Sequence, residues 1–304
     1  MKVSVILPIY NGEKTIDATL KSLKEQTFQD FELIVCIDGT HDRSEDILKR
    51  YEDCFLKMII LKNRNNLGLG PTMNRLIANT SGEYIAIAEQ DDYYYPNRLA
   101  LQIDFLDQNP TYGLVSGIAE FWNGEKVTML FPGILVNGGK YPEGKDLFIL
   151  NYREQLKIVN SCIMLRKSVH IDNGLYFTKH YPSISVDWTY ILRLSLVSKI
   201  QGLHEVLVRL DRKANRDSVT SDKVKQYLAS RELLRSFAYE YPEIISKSDC
   251  KYAQTTQHLM ELSITSKFKF VPTFIYFYFL NPQDTRWQPY FKKRIKRLFE
   301  KKII

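Results

Sequence analysis

A chain of 304 residues, 44% hydrophobic and 25% charged, has globular composition and is long enough for one large domain or a domain with a helical appendage. Its net charge of +7 is moderate, so where the bases cluster matters more than their sum. No segment offers the roughly 20 apolar residues of a spanning helix, and the N-terminal apolar stretch is too short for a signal peptide, so the expectation is a protein kept in the cytosol.

Residues 3–7 read as a first strand, 8–12 as a turn and 14–26 as a helix carried by Ile16, Leu20 and Leu23. A strand follows at 31–37, a helix at 44–51, and a short strand at 58–61. The polar loop 63–70 leads to Pro71, suited to a first helical position, and to a helix ending near Asn79. A fourth strand spans 83–88, and Pro96 opens a helix carried by Leu99, Ile103 and Leu106. This alternation predicts βαβ units, a parallel sheet and all strand ends on one edge. Beyond it, strands are expected at 113–122, 159–166 and 200–210, a helix at 187–197 and a glycine-rich mobile loop at 133–145. From Lys223 the pattern is helical. The cysteines Cys36, Cys54, Cys162 and Cys250 form no paired motif, and Cys36 and Cys162 lie in apolar runs, as core residues in a reducing compartment would.

Two acidic groups directly follow buried strand patterns: Asp38, and Glu89-Gln90-Asp91-Asp92. Ligands of open α/β sheets bind beyond the carboxyl ends of the strands. Carboxylates gathered there repel one another unless a cation or a hydrogen-bonded ligand joins them, and a metal-nucleotide complex supplies both. Asp38 before Gly39 also suits an Asx turn, and the acidic run also suits a solvated loop. Gly68-Leu69-Gly70 lacks the third glycine of a dinucleotide fingerprint, no Gly-x-Ser-x-Gly elbow occurs, and His41, His170, His180, His204 and His258 show no metal spacing.

An ordered set of motifs runs through residues 1–110: Val5-Ile6-Leu7-Pro8-Ile9-Tyr10-Asn11, Gln26-Thr27-Phe28, Asp38-Gly39-Thr40 with Asp42, Asn65-Asn66-Leu67-Gly68-Leu69-Gly70 with Asn74, Ser81-Gly82-Glu83-Tyr84, Asp91-Asp92 and Pro96-Asn97-Arg98-Leu99. Together these resemble family 2 glycosyltransferases of the GT-A fold, with a weaker match continuing from Asn160 to Thr220. The resemblance implies an α/β catalytic domain over 1–220, divided into a nucleotide-binding half (1–110) and an acceptor half (111–220), with 221–304 as a helical extension.

It also implies roles. Pro8, Tyr10, Asn11 and Asn66 would line the nucleotide site, and Asp38 would accept a hydrogen bond from a uracil-type N–H, since an ionised carboxylate is acceptor-only. Asp91 and Asp92 would divide ribose and metal contacts, with Mn²⁺ or Mg²⁺ bridging the diphosphate leaving group. Asp187, ahead of Trp188 and Arg193, would be the general base of an inverting single displacement, and Trp188 an apolar wall for a sugar; Asp187 equally suits a helix N-cap. The chain departs from the family at Ile37, Glu89, Val186 and Ala214, where other residues are usual, and His180, Arg212 or Arg216 would have to make up for the last.

The C-terminal quarter combines the aromatic run 271–280 with the bases Arg286, Lys292, Lys293, Arg294, Lys296, Arg297, Lys301 and Lys302, among which Phe291, Ile295, Leu298 and Phe299 recur at helical spacing. An aromatic wedge beside a basic amphipathic helix suits the surface of an anionic membrane. The alternative is a tail that packs its aromatics on the catalytic domain. No nucleic-acid motif is present.

The expectation is therefore a metal-dependent inverting glycosyltransferase, peripheral on the cytoplasmic face of the cell membrane. It would move a hexose or N-acetylhexosamine from a UDP-sugar to an acceptor sugar on a polyprenyl diphosphate, in bacterial surface polysaccharide synthesis. The rivals are a sugar-nucleotide nucleotidyltransferase, which lacks its triphosphate loop here, and a non-catalytic nucleotide-sugar binding module.

Overall fold

The computed structural model describes residues 1–131, 142–156, 158–179, 185–212 and 223–300. Its first strands, β1 (Val3–Ile9), β2 (Phe31–Asp38), β3 (Lys57–Asn63) and β4 (Tyr84–Ile87), pair in parallel in the order β3-β2-β1-β4. A parallel sheet covered on both faces requires runs that are apolar throughout. Accordingly β1, β2 and β4 are buried almost end to end, while β3, on the edge, is mostly half-buried. Side chains alternate between faces. Val3, Val5, Leu7 and Val35 enter one core with helices α1 (Ile16–Lys24), α2 (Ser44–Lys49) and, further on, the helix at Arg98–Gln108. Ile6, Ile34 and Cys36 enter the other with α3 (Leu69–Ala78). The helix at Arg98–Gln108 is α4.

The second half of the sheet is mixed. It comprises β5 (Asp92–Tyr94), β6 (Tyr112–Trp122), β7 (Val127–Phe131), β8 (Met164–Arg166) and β9 (Lys199–Asp211), in the order β4-β8-β6-β9-β5 with β7 beside β6. Here β8 lies antiparallel between β4 and β6, and β5 antiparallel to β9, while β6 and β9 are parallel. The common edge of strand ends expected from the alternation thus holds for β1 to β4 and stops there. The strand expected at 159–166 shrinks to three residues because Asn160–Cys162 tightens into a 3₁₀ turn. Pro71 is the third residue of α3 rather than the first, still within the turn whose N–H groups have no helical acceptor.

The chain forms two compact units, residues 1–148 with 156–221 and residues 149–155 with 222–304. The helix α5 (Gly144–Glu154) begins in the first and ends in the second. It replaces the end of the expected loop 133–145, most of which, like His180, Ala214 and Arg216, lies outside the described residues. The first unit also holds α6 (Lys167–Asp172) and α7 (Val186–Ser195).

The second unit is helical, as expected: α8 (Lys223–Glu240), α9 (Lys247–Ile264), α10 (Lys267–Leu280) and α11 (Trp287–Glu300). Ser246 and Asp249 form a reciprocal capping box at the start of α9. Leu262, Phe270, Phe277 and Trp287 make a small core, with Phe291 and Ile295 of α11 packed against it. His258 stacks on Phe277 at 4.1 Å, and burial, with the Arg231 charge adding to it, lowers its pKa to about 4. Among the described residues no helix is long and apolar enough to cross a membrane.

Candidate active site at the strand ends

Three loops leaving β1, β2 and β4 are tied together by short polar bonds. Gln90 clips the acidic loop to the end of β1: its Oε1 accepts from the Tyr10 N–H and its Nε2 donates to the Tyr10 carbonyl, both at 2.9 Å. The Asn11 N–H donates to Thr40 Oγ1, the Gly12 N–H to Ser44 Oγ and the Glu13 N–H to Asp42 Oδ2. Burial alone would raise the Asp42 carboxyl, but the Ser44 hydroxyl and the Glu13 and Ser44 N–H groups hold it below its usual range, so it stays an anion and fixes the turn. Pro8 is half-buried within β1, while Tyr10 and Asn11 are exposed on the rim.

Asp38 is 4% exposed and does not cap its own turn. Its Oδ1 accepts from Asn63 Nδ2 (2.7 Å) and the Leu67 N–H (2.9 Å), and its Oδ2 from the Gly68 N–H (3.0 Å). Asn66 contributes to the same loop by accepting from the Gly68 N–H at 2.8 Å. Gly39 is required beside it: its φ is +67°, and a Cβ there would stand 2.3 Å from the Asn66 nitrogen. Asp38 therefore shapes the loop as well as facing the rim. A carboxylate offers about four acceptor directions, and three are used here.

The acidic group is compact. Ligand oxygens of Glu89, Asp91 and Asp92 all lie within 4.8 Å of one another. Asp92 is buried, accepting from Ser161 Oγ at 2.5 Å through its side chain and from Thr19 Oγ1 through its carbonyl. Glu89, the departure from the family's first acid, is half-buried and its Oε1 accepts from Asn160 Nδ2 at 3.0 Å. Behind the loop sits Arg98, fully buried, its Nη2 donating to the carbonyls of Ile87 and Ile163 and its guanidinium 4.7 Å from the Tyr94 ring centre. The Tyr94 hydroxyl accepts from the Glu89 N–H at 2.6 Å. Three carboxylates this close match what a hard divalent cation needs, namely oxygen donors, few of them charged, with room for water and substrate oxygens. The residues present therefore fit Mn²⁺ or Mg²⁺.

Asp187 is the second residue of α7, half-buried, its Oδ1 accepting from the Trp188 N–H at 2.8 Å. The N-cap position belongs to Ser185, in a left-handed conformation, so Asp187 is not the cap but lies two positions further on, in the first turn at the positive end of the helix dipole. Trp188 is 7% exposed, so its ring is mainly a packing surface rather than the open wall expected from the sequence. Val186 is buried in the core, and the Arg193 guanidinium lies 4.9 Å from the Tyr176 ring centre. Arg212 is exposed and stacks over Phe121.

A relay of contacts links α3 to α7, the helix that carries Asp187. Asn74 of α3 pairs with both backbone groups of Phe177, each at 2.8 Å. A Cβ on Gly70 would stand 2.0 Å from the Thr178 carbonyl oxygen, and the Thr178 hydroxyl meets that of Thr189, two residues beyond Asp187, at 3.0 Å. The sequence assigns no role to Asn160 or Ser161, and it gives Gln90, Gly70 and Asn74, though they stand in the quoted motifs, none of these contacts. Their partners lie far away along the chain, 80 positions for Gln90 and 103 for Asn74, and no local spacing announces them.

The sequence model of glycosyl transferase family 2 matches residues 4–172. The uncharacterized glycosyltransferase MJ1057 of Methanocaldococcus jannaschii is 30% identical over 238 residues, covering 77% of this chain and 78% of that protein. WfaP of Escherichia coli, a UDP-Glc:alpha-D-GlcNAc-diphosphoundecaprenol beta-1,3-glucosyltransferase, is 27% identical over 235 residues, 77% of this chain and 86% of its own. Among solved structures, S. aureus TarS 1–349 in complex with UDP-GlcNAc superposes with a TM-score of 0.65 at 18% identity, over 91% of this chain and 80% of TarS, a likeness of fold.

Proposed function

The chain belongs to glycosyl transferase family 2 and is a glycosyltransferase, and from that premise we propose that it transfers a hexose or N-acetylhexosamine, with inversion, from a UDP-sugar to a sugar carried on a polyprenyl diphosphate. The reading places it at the cytoplasmic face of the cell membrane, in surface polysaccharide assembly, with residues 1–220 as the catalytic part and 221–304 as the extension that meets the membrane. The observation that carries it is the convergence of Glu89, Asp91 and Asp92 beside the Tyr10–Gln90 clip at the ends of parallel strands. WfaP, which uses UDP-glucose and a diphosphoundecaprenol-linked acceptor, supports the donor and acceptor classes.

In this reading Pro8, Tyr10, Asn11 and Asn66 enclose the base, and Asp38 accepts the uracil N–H in the acceptor direction left by Asn63, Leu67 and Gly68. Asp91 and Asp92 hold Mn²⁺ or Mg²⁺ with Glu89 and also reach the ribose, and Asn160 and Ser161 aim two of those carboxylates. When bound, the cation supplies Lewis-acid stabilisation of the diphosphate charge. Across the site Asp187 accepts the proton of the acceptor hydroxyl as that oxygen bonds to the anomeric carbon. The carbon–oxygen bond to the diphosphate breaks with its electron pair, and UDP leaves from the opposite face. The edge of Trp188 borders the sugar.

The test is UDP release from a panel of UDP-sugars with Mn²⁺ and a polyprenyl-diphosphate sugar. Asp187→Asn keeps the shape and removes the base, and kcat is expected to fall by roughly 10²–10⁴-fold with UDP affinity by calorimetry unchanged. Undiminished turnover in that variant, or retained anomeric configuration in the product, overturns the mechanism.

A further inference from the structure

We infer that the outer face of α10, flanked by the basic side of α11, lies in the headgroup region of an anionic bilayer. The inference rests on the membrane-linked acceptor proposed above and assigns the surface that meets that membrane. The sequence offers the apolar positions of α11 for this purpose, but the structure uses Phe291 and Ile295 otherwise. Phe291 lies 4.7 Å from Phe274 and 6.0 Å from Phe270 between ring centres, and Ile295 joins the same small core. With Phe291 and Ile295 turned inward, Lys292, Lys293, Lys296 and Arg297 are exposed, while Arg294 turns in over Phe270.

The situation of α10 is the reverse. It is apolar around its circumference, and the small core takes only one side, through Phe270, Phe274 and Phe277. On the other side Phe268 (95% exposed), Val271, Ile275 and Phe279 (72%) follow one another at intervals of three, four and four residues, a single helical stripe, with Tyr276 (63%) beside it. Large apolar side chains aligned in water mark a contact surface.

Charge decides its occupant. Lys267 and Lys269 are exposed at the start of the stripe, and the basic row of α11 belongs to the same helical unit. Of the acids between residues 267 and 300, Asp284 is paired with Arg286 at 2.7 Å, which leaves Glu300. Apolar insertion beside lysines and arginines is the pattern of an interfacial helix on anionic lipid, whereas two copies of this face would bring like charges together. Since no described helix can cross a bilayer, the attachment lies in the plane of the interface.

The experiment is co-sedimentation of the full chain with vesicles of phosphatidylcholine alone or with about a quarter phosphatidylglycerol, at low and high salt. The wild type is expected to bind the anionic vesicles, less so at high salt. Phe268→Ser with Phe279→Ser, and separately Lys292→Gln with Lys293→Gln and Lys296→Gln, should each lower partitioning at least about tenfold. Tyr239→Ser, which removes an equally exposed aromatic on α8, should change nothing. Thermal unfolding should be unaltered in all three, because none of these side chains is in the core. Equal binding by wild type and both multiple variants overturns the inference. So does a lipid-free oligomer that the Phe268 and Phe279 changes dissolve, which would make the stripe a self-association surface. UDP release to a water-soluble acceptor sugar, measured in parallel, is independent of vesicles: its absence in a wild type that still binds them would defeat the transfer reading and leave the docking face standing.

Discussion

The rim of the sheet and the outer side of the helical unit spend their polar and apolar groups in opposite ways. At the rim nearly every singled-out group has a geometric partner: Gln90 with Tyr10, Asp38 with the 63–68 loop, Asn160 with Glu89, Ser161 with Asp92. On α10 and α11 an apolar stripe and a row of lysines and an arginine face water, each spaced by helix periodicity. Preorganised polar groups suit chemistry, which depends on fractions of an ångström. A surface held by burial and charge tolerates looser placement, as attachment to a fluid bilayer allows.

The widest separation between the two regions is expected from Asp91→Ala. Losing a carboxylate from the cluster should lower UDP release by about 10³-fold or more, as should chelation of the wild type by EDTA, reversed by added Mn²⁺, while vesicle binding is untouched. Full activity in EDTA would remove the cation from the account. A smaller loss should follow Asn160→Ala, which removes one hydrogen bond to the Glu89 carboxylate: the Mn²⁺ concentration for half-maximal activation should rise about 10–100-fold with kcat at saturating metal close to normal.

Gly70→Ala probes the relay. The added Cβ would lie 2.0 Å from a backbone oxygen, which cannot yield as a flexible side chain would. The expected cost is roughly 1–3 kcal/mol of stability, and kcat should fall more than UDP affinity because the displaced segment leads toward α7. Equal stability to wild type in a denaturant titration would count against that contact.

Mild acid acts on stability alone, and it touches both units. Burial lowers His258 and His170 to about 4, below the 6.5 of an unfolded histidine. A folded pKa below the unfolded one means the unfolded chain takes up more protons, so the stability is complete above pH 6.5 and is lost as pH falls from 6.5 toward 4. For each histidine the contribution is on the order of 2–3 kcal/mol. The His258→Phe variant, which keeps the stack on Phe277, should show a shallower decline of melting temperature over that window. In the sheet a further loss begins only below pH 4.5. Burial opposes the charge on Glu32, but Lys57, Ser4 and Ser81 bond it and bring its pKa to about 2, so its contribution fades between 4.5 and 2.

The parallel half of the sheet, the acidic groups at its strand ends and the helical character of the last quarter are legible in the residue order, because apolar periodicity is a local property. The sequence did not reveal β5, whose Asp92-Tyr93-Tyr94 has no apolar run, nor β7, nor that the strand expected at 159–166 would run antiparallel and be cut to three residues by a 3₁₀ turn. Nor could it tell that Asp38 organises a distant loop, that Asn160 and Ser161 aim the acids, or that Phe291 and Ile295 are already buried against α10. Those facts are pairings between residues far apart in the chain. Only the tertiary structure decides them, since a hydrogen bond or a packed ring depends on distances that no one-dimensional spacing encodes.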